Sequence, residues 1–148
     1  MTIEKTTESA EELIDRYSDD PKVAVILAST FIHARLRTIV NVYLKQRGRS
    51  DVSVVNENVD LKPTLKIAYA LGTITFSEFS MLNDLAVKRN NIAHKSKFWR
   101  KPKPAQEQTY LRLATFASSF LRSTGSLKLI HMRLAVRNET NRRNATAK

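Results

Sequence analysis

The sequence predicts an all-α protein that folds as a single bundle of five or six helices. Glycine and proline are scarce, with three and four residues among 148. Apolar residues recur at intervals of three and four in several segments, which is the spacing of one helix face. Polar residues suited to helix capping stand at the start of most of these segments. The length suffices for one domain with a hydrophobic core.

Two helices are predicted in the N-terminal third of the chain. Ser9 and Glu12 have the spacing of a capping box, which begins a short acidic helix over residues 9–18. Asp20 can cap a second helix that runs to about Arg47. Apolar residues surround most of the first half of this second helix, so we expect protein on nearly all sides of it.

The middle of the chain predicts two helices separated by a glycine. Asp60 can cap the first of them, and Gly72 can end it in a backbone conformation with positive φ. Thr75 and Glu78 then have capping-box spacing at the start of the next helix. That helix extends to about His94.

Two further helices are expected before the chain ends. The segment 106–123 has core spacing, and Ser126 can restart a helix after a glycine break. We expect residues 1–138 to form the helical domain, of which 1–20 are an acidic N-terminal segment. Residues 139–148 are polar and basic, and they predict a disordered tail.

The charge of the chain is unevenly distributed. The net charge is +11, while the first twenty residues hold seven acidic and two basic residues, so the remainder carries +16. A positive field of this size attracts polyanions, of which nucleic acid is the common one. The absence of cysteine and of a signal peptide predicts a cytoplasmic location. No apolar run approaches the roughly 20 residues of a membrane span, so no membrane contact is expected.

A polar cluster interrupts the fourth predicted helix near its end. Arg89 falls on the apolar stripe, where another leucine would be expected, and Asn90 and His94 are four residues apart on one face. We therefore expect these three residues at the edge of the buried side of the helix. The stripe itself consists of Phe79, Leu82, Leu85 and Ile92. A buried charge is costly without a partner, so a functional site is one explanation for Arg89.

These residue types suit cleavage of RNA without a metal ion or cofactor. Histidine can move a proton to or from a ribose hydroxyl near neutral pH, and arginine can hold a phosphate by two hydrogen bonds. Arg89 and His94 are five residues apart, which is about 140° of rotation on a regular helix. Either the helix unwinds near Ala93, or the two groups meet across a homodimer.

The segment after His94 is rich in basic residues and contains two adjacent aromatic ones. Charge and base stacking together are typical of surfaces that grip a single strand. Phe98 and Trp99 could equally close the core. The residues expected to bind nucleic acid are Lys88, Lys95, Lys97, Trp99, Arg100, Lys101 and Lys103.

Structural explanations compete with each of these site assignments. His94 could cap its own helix terminus, where a cation is favoured. Arg89 could pair with Asp84 or with the acidic N-terminal helix. His33 lies within the most apolar part of the second helix, which favours a core histidine over a ligand.

The segment from residue 60 to residue 95 also resembles a known family. Arg89-Asn90-x-x-x-His94 is similar to the motif of the HEPN superfamily (higher eukaryotes and prokaryotes nucleotide-binding). The preceding stretch Lys66-Ile67-Ala68-Tyr69-Ala70-Leu71-Gly72-Thr73-Ile74, with Leu82-Asn83-Asp84-Leu85, resembles the branch that contains the mannitol operon repressor.

The resemblance implies a helical bundle that dimerises through the motif region. For active members it implies a metal-independent endoribonuclease of the toxin or phage-defence type, restrained by an antitoxin, with Arg89 and His94 as the catalytic pair and Asn90 assisting. The repressor branch instead implies a non-catalytic transcriptional regulator. An interaction module whose partner docks on the acidic N-terminal helix is a third possibility.

Overall fold

A computed structural model describes residues 9–49, 55–56, 58–94 and 101–146 of the chain. These residues form six α-helices and no strand, which confirms the all-α prediction. The helices are α1 (Ala10–Arg16), α2 (Pro21–Gln46), α3 (Leu61–Ala70), α4 (Phe76–His94), α5 (Pro104–Ser123) and α6 (Leu127–Thr146). Their buried apolar side chains form one hydrophobic core.

Helix α2 is the centre of the bundle. It packs against each of the other five helices, whereas the main packing partners of α4 are α2, α3 and α5. The apolar residues along α2 are buried on several sides, as its sequence predicts. The side chains that it buries are Ala24, Val25, Ala28, Ser29, Ile32, Leu36, Ile39 and Val40.

Helix α2 is also long and apolar enough to cross a membrane, by length and composition alone. This differs from the expectation that no apolar run would reach that length. The core helix of a soluble protein passes the same test, and 44% of the apolar window of α2 is buried inside the protein. A signal sequence near an N-terminus passes it too, and the packing of α2 against all the other helices is the arrangement of a core helix.

The predicted start of α1 is confirmed, and that of α2 differs in detail. The Glu12 amide donates to Ser9 Oγ at 3.2 Å, and the Ser9 amide donates to Glu12 Oε2 at 3.3 Å. Asp20 precedes α2 without a side-chain cap, although Pro21 occupies the first helical position. These local signals fix both helix starts to within a residue of the prediction.

The turn before α4 is held by residues of α6. Gly72 has a φ of +75°, and a Cβ atom there would collide with the amide of Asn141. The carbonyl oxygen of Gly72 accepts hydrogen bonds from Arg137 Nε at 3.0 Å and from Asn141 Nδ2 at 3.3 Å. The positive φ therefore favours glycine at residue 72, and any larger residue there would also have to displace the side chain of Asn141.

The start of α4 contains a partly buried ion pair. Glu78 closes a capping box with Thr75, whose amide donates to Glu78 Oε1 at 2.8 Å. Arg133 of α6 donates two hydrogen bonds to the same carboxylate, one of them at 2.9 Å, and its guanidinium lies 4.9 Å from the ring centroid of Phe120. Burial raises the pKa of Glu78, but the hydrogen bonds from Arg133 and Thr75 outweigh it and leave the pKa below its usual value.

The C-terminal segment is helical, so the predicted disorder from residue 139 is wrong as far as Thr146. Helix α6 continues without a break from Leu127 to Thr146. Glu139 forms ion pairs with Arg142 at 2.8 Å and with Arg143 at 3.1 Å, at the spacing that supports a helix. The polar composition misled the prediction because α6 is held to the bundle by hydrogen bonds to Gly72 as well as by an apolar stripe.

Candidate functional site

The second half of α4 lies between two clefts. The first, which we name the Arg89 cleft, encloses about 580 Å³ between α2, the start of α3 and α4. Its charged and polar walls are one acidic residue, two basic ones and four uncharged ones: Asp60, Lys62, Arg89, Ser29, Thr30, His33 and Asn90. The second, which we name the lysine cleft, encloses about 540 Å³ between the start of α2, α4 and the start of α5. It is lined by Lys22, Lys88, Lys101 and Lys103, together with Asn91, Gln106 and Tyr110.

Arg89 is exposed, which corrects the expectation that it lies at the edge of the buried side of α4. Leu82, Leu85 and Ile92 of the stripe are buried as predicted. At residue 89 the same side of the helix meets the Arg89 cleft instead of the core. The arginine therefore stands where the packing of α4 against α2 and α3 leaves an opening to solvent.

The guanidinium of Arg89 makes few contacts with the described part of the protein. Its Nη1 donates to Asn90 Oδ1 at 3.2 Å. Among the described residues it forms no ion pair, so neither Asp84 nor α1 neutralises it. Asn90 is partly buried and accepts from Arg89, which places the two adjacent motif residues in one cleft. Most of the five N–H donors of the guanidinium remain available to an anion.

The backbone of α4 is helical through His94, so the unwinding considered near Ala93 does not occur. On such a helix, five residues correspond to about 140° of rotation. The His94 side chain lies outside the described residues.

His33 has an internal partner, as the core interpretation predicted. Its Nε2 lies 2.6 Å from the carbonyl oxygen of Val59, and because a carbonyl only accepts, Nε2 carries the proton. Yet His33 is only partly buried and lines the Arg89 cleft. Thr30 and His33 form a polar pair three residues apart within an apolar helix. Two polar residues at this spacing in an apolar helix could have indicated a polar surface on α2, but no such prediction was made from the sequence.

Three of the seven residues expected to bind nucleic acid come together in the structure. Lys88, Lys101 and Lys103 all line the lysine cleft, and Lys22 joins them from the start of α2. No acidic residue of the described chain lines this cleft. The other four expected residues, Lys95, Lys97, Trp99 and Arg100, lie outside the described residues.

Arg35 shows what a purely structural arginine looks like in this protein. Its Nη1 donates to the carbonyl oxygen of Leu121 at 2.7 Å and to Thr124 Oγ1 at 3.0 Å. Burial lowers the pKa of Arg35, and the charge of Glu11 partly opposes that change. Arg35 satisfies one of the C-terminal carbonyl groups of α5, that of Leu121, whereas Arg89 donates to no backbone carbonyl among the described residues.

No group of three or more His, Asp or Glu residues in the described part of the chain is placed to hold a metal ion. Comparison with protein-family models, with curated proteins and with solved structures finds no match to this chain. The chemical character of the two clefts is therefore the main structural guide to function.

Proposed function

We propose that the protein is a metal-independent endoribonuclease whose site is shared between two copies of the chain. Arg89 and Asn90 of one copy act together with His94 of the other. The observation that carries the proposal is the exposed guanidinium of Arg89, held beside Asn90 in an open cleft at a core-stripe position. An exposed arginine contributes little to packing. The N–H donors of Arg89 that have no protein partner are available to bind an anionic ligand instead.

Arg89 binds the phosphodiester that is cleaved. The planar guanidinium can donate two parallel hydrogen bonds to phosphate oxygens, which a lysine cannot do. Asn90 accepts one N–H of Arg89 and thereby limits the orientations of the guanidinium. As negative charge grows on the phosphate oxygens, donors already in position stabilise the transition state more than the ground state.

His94 supplies the proton transfer. Its imidazole takes the proton of the ribose 2′-hydroxyl, whose oxygen attacks the adjacent phosphorus. The bond between phosphorus and the 5′ oxygen breaks, which leaves a 2′,3′-cyclic phosphate on one fragment. The 5′ oxygen of the other fragment receives a proton from the imidazolium or from water. Protons and electrons balance without a metal or an external reactant.

Membership of the HEPN superfamily is part of this proposal. The Arg-Asn-x-x-x-His motif on a helix and the all-helical bundle of six helices both support it. A role as a toxin or in defence against phage, restrained by an antitoxin, follows from that membership. The +16 charge of residues 21–148 supports RNA as the substrate.

The test compares cleavage of single-stranded and structured RNA in EDTA by the wild type, Arg89→Ala and His94→Ala. We expect wild-type cleavage with 2′,3′-cyclic phosphate ends and a loss of about 10² to 10³ in rate for each variant. Arg143→Ala and His131→Ala are the matched controls, since both side chains are exposed on α6 and line neither cleft. Equal cleavage by all five proteins would place the activity elsewhere. No cleavage by any of them would favour the non-catalytic regulator.

Mixing the two inactive variants tests whether the site is shared. A heterodimer of Arg89→Ala and His94→Ala has one intact site if Arg89 and His94 come from different chains, and none if they come from the same chain. After random exchange of subunits in an equal mixture, half of the dimers are heterodimers. Each heterodimer has one intact site, whereas a wild-type dimer has two, so the mixture should recover about a quarter of the wild-type rate. A mixture as inactive as its components would contradict the shared site.

A further inference from the structure

The lysine cleft is a second cationic surface on α4, and the proposed cleavage chemistry does not use it. Four lysine side chains line it, and no acidic residue of the described chain lies among its walls. The cleft is concave and encloses about 540 Å³, which is room for more than one phosphate group. Four positive charges brought together in one concavity favour an anionic ligand.

Two helix starts add to the positive potential of the cleft. Lys22 is the second residue of α2, and Lys103 immediately precedes the first residue of α5. Helix N-termini carry partial positive charge on their unpaired amides. The amide of Lys103 is already occupied, since it donates to Gln106 Oε1 at 3.2 Å. The lysines therefore supply most of the attraction, and the helix ends reinforce it.

The two clefts lie on different sides of the same short stretch of helix. Lys88 and Asn91 face the lysine cleft, whereas Ala86, Arg89 and Asn90 face the Arg89 cleft. An α-helix with its side chains is about 10 Å across, so the ridge between the clefts is narrow. A flexible single strand can cross such a ridge, but a nucleic-acid duplex is stiff over tens of base pairs.

We propose that the lysine cleft binds backbone phosphates of an unpaired RNA strand that crosses α4 and presents a neighbouring phosphodiester to Arg89. The second half of this statement rests on the proposed ribonuclease function. Lysine ammonium groups act as point charges that do not demand one phosphate orientation, which suits a strand of any sequence. The substrate is therefore unpaired RNA recognised through its backbone on the lysine side of α4.

The test measures binding by fluorescence anisotropy in EDTA, using a 2′-O-methyl RNA that cannot be cleaved. Lys88→Gln/Lys103→Gln is compared with Lys66→Gln/Lys128→Gln, whose exposed lysines lie outside both clefts. The two pairs remove the same charge. We expect the cleft pair to bind the single strand at least about 10-fold more weakly and to lower the salt slope by about 1.4, and the control pair to bind less than about 2-fold more weakly.

Three results would overturn the inference. One is an equal loss of affinity in both lysine pairs, which would mean a general charge effect. Another is tighter binding of the corresponding duplex than of the single strand. The third is displacement of the RNA by inorganic pyrophosphate at concentrations near the dissociation constant of the RNA. That result would indicate a pocket for small anions.

The binding and cleavage results separate this inference from the proposed function. Loss of binding in the cleft pair, with no cleavage by the wild type, would support the strand site and reject the ribonuclease. Wild-type affinity in the cleft pair, with cleavage that depends on Arg89 and His94, would reject the strand site and support the ribonuclease.

Discussion

The charged residues in the two halves of α4 differ in whether they have an oppositely charged partner within the described part of the protein. At its start, the Glu78 carboxylate accepts hydrogen bonds from Arg133 and Thr75, and its side chain is only 17% exposed. Near its end, Arg89 is exposed and bonded to Asn90, and Lys88 lines a cleft whose described walls include no acidic residue. Charges that are partnered within the protein fix the fold, whereas charges without such partners are available to a ligand.

The partnered half of α4 also defines where the helix begins. Gly72, Thr75 and Glu78 set the turn and the first amides, and α6 holds that turn through Arg133 and Arg137. The second half has no comparable set of contacts. A variant of the charged pair in the first half should therefore change the stability of the protein, whereas a variant of Lys88 or Arg89 in the second half should change only binding and cleavage.

The largest effect on stability is expected from Arg133→Ala. This change leaves the partly buried carboxylate of Glu78 without its cation and removes the contact with Phe120. We expect the free energy of unfolding to fall by about 3 kcal/mol, the loss typical of breaking a buried pair from one side. Urea denaturation followed by circular dichroism measures it. A loss below about 1 kcal/mol would mean that the pair behaves like an exposed one.

The double variant Arg133→Met/Glu78→Gln tests the reason for that loss. Glutamine can retain the capping box, and methionine fills part of the space of the arginine. If an orphaned charge causes the loss, the double variant should be more stable than the single variant Arg133→Met, with which it shares residue 133. The coupling energy from the double-mutant cycle then reports the contribution of the pair itself.

A smaller effect on stability is expected from the titration of Glu78. The pKa of Glu78 is lower in the folded protein than its ordinary value of 4.5, so the unfolded chain takes up the proton first as the pH falls. The stabilisation is therefore complete above about pH 5 and is lost as the pH falls through 4.5 and below. At pH 7, Glu78→Gln should be less stable than the wild type by about 1.5 kcal/mol.

Denaturation curves of the wild type and Glu78→Gln between pH 3 and pH 7 measure this dependence. The difference between the two proteins should shrink toward acid pH. A difference that stays constant over the range would mean that the carboxylate charge does not contribute. His131→Ala serves as a control, because its exposed ring bonds to Gln46 whereas the carboxylate of Glu78 is bonded to Arg133 and Thr75.

The start of α4 could be predicted from the sequence, and the surroundings of its end could not. Gly72, Thr75 and Glu78 act over a few residues, so their spacing alone indicates the turn and the cap. Whether residue 89 meets the core or solvent depends on how closely α2 and α3 approach α4, and no spacing in the sequence encodes that distance. The prediction of a polar cluster at Arg89 and Asn90 was therefore useful, while the prediction that Arg89 lies at a buried edge was wrong.

The lysine cleft shows the same limit of local reasoning. Lys88, Lys101 and Lys103 are near one another in the sequence, and charge density alone marked them as candidates. Lys22 belongs to a different helix, and only the packing of α2 against α4 and α5 brings it into the cleft. The helical end of α6 was missed for a related reason, since its partner Gly72 is distant in the sequence.

The smallest effect on stability is expected from Arg89→Ala, because the exposed guanidinium has one hydrogen bond to its neighbour Asn90 and no ion pair among the described residues. Its free energy of unfolding should stay within about 0.5 kcal/mol of the wild type, as for surface substitutions in general. Urea denaturation beside Arg133→Ala measures both variants on one scale. A loss as large as that of Arg133→Ala would make Arg89 a structural residue and erase the contrast between the two halves of α4. Wild-type stability combined with lost RNA cleavage would instead assign Arg89 to the ligand.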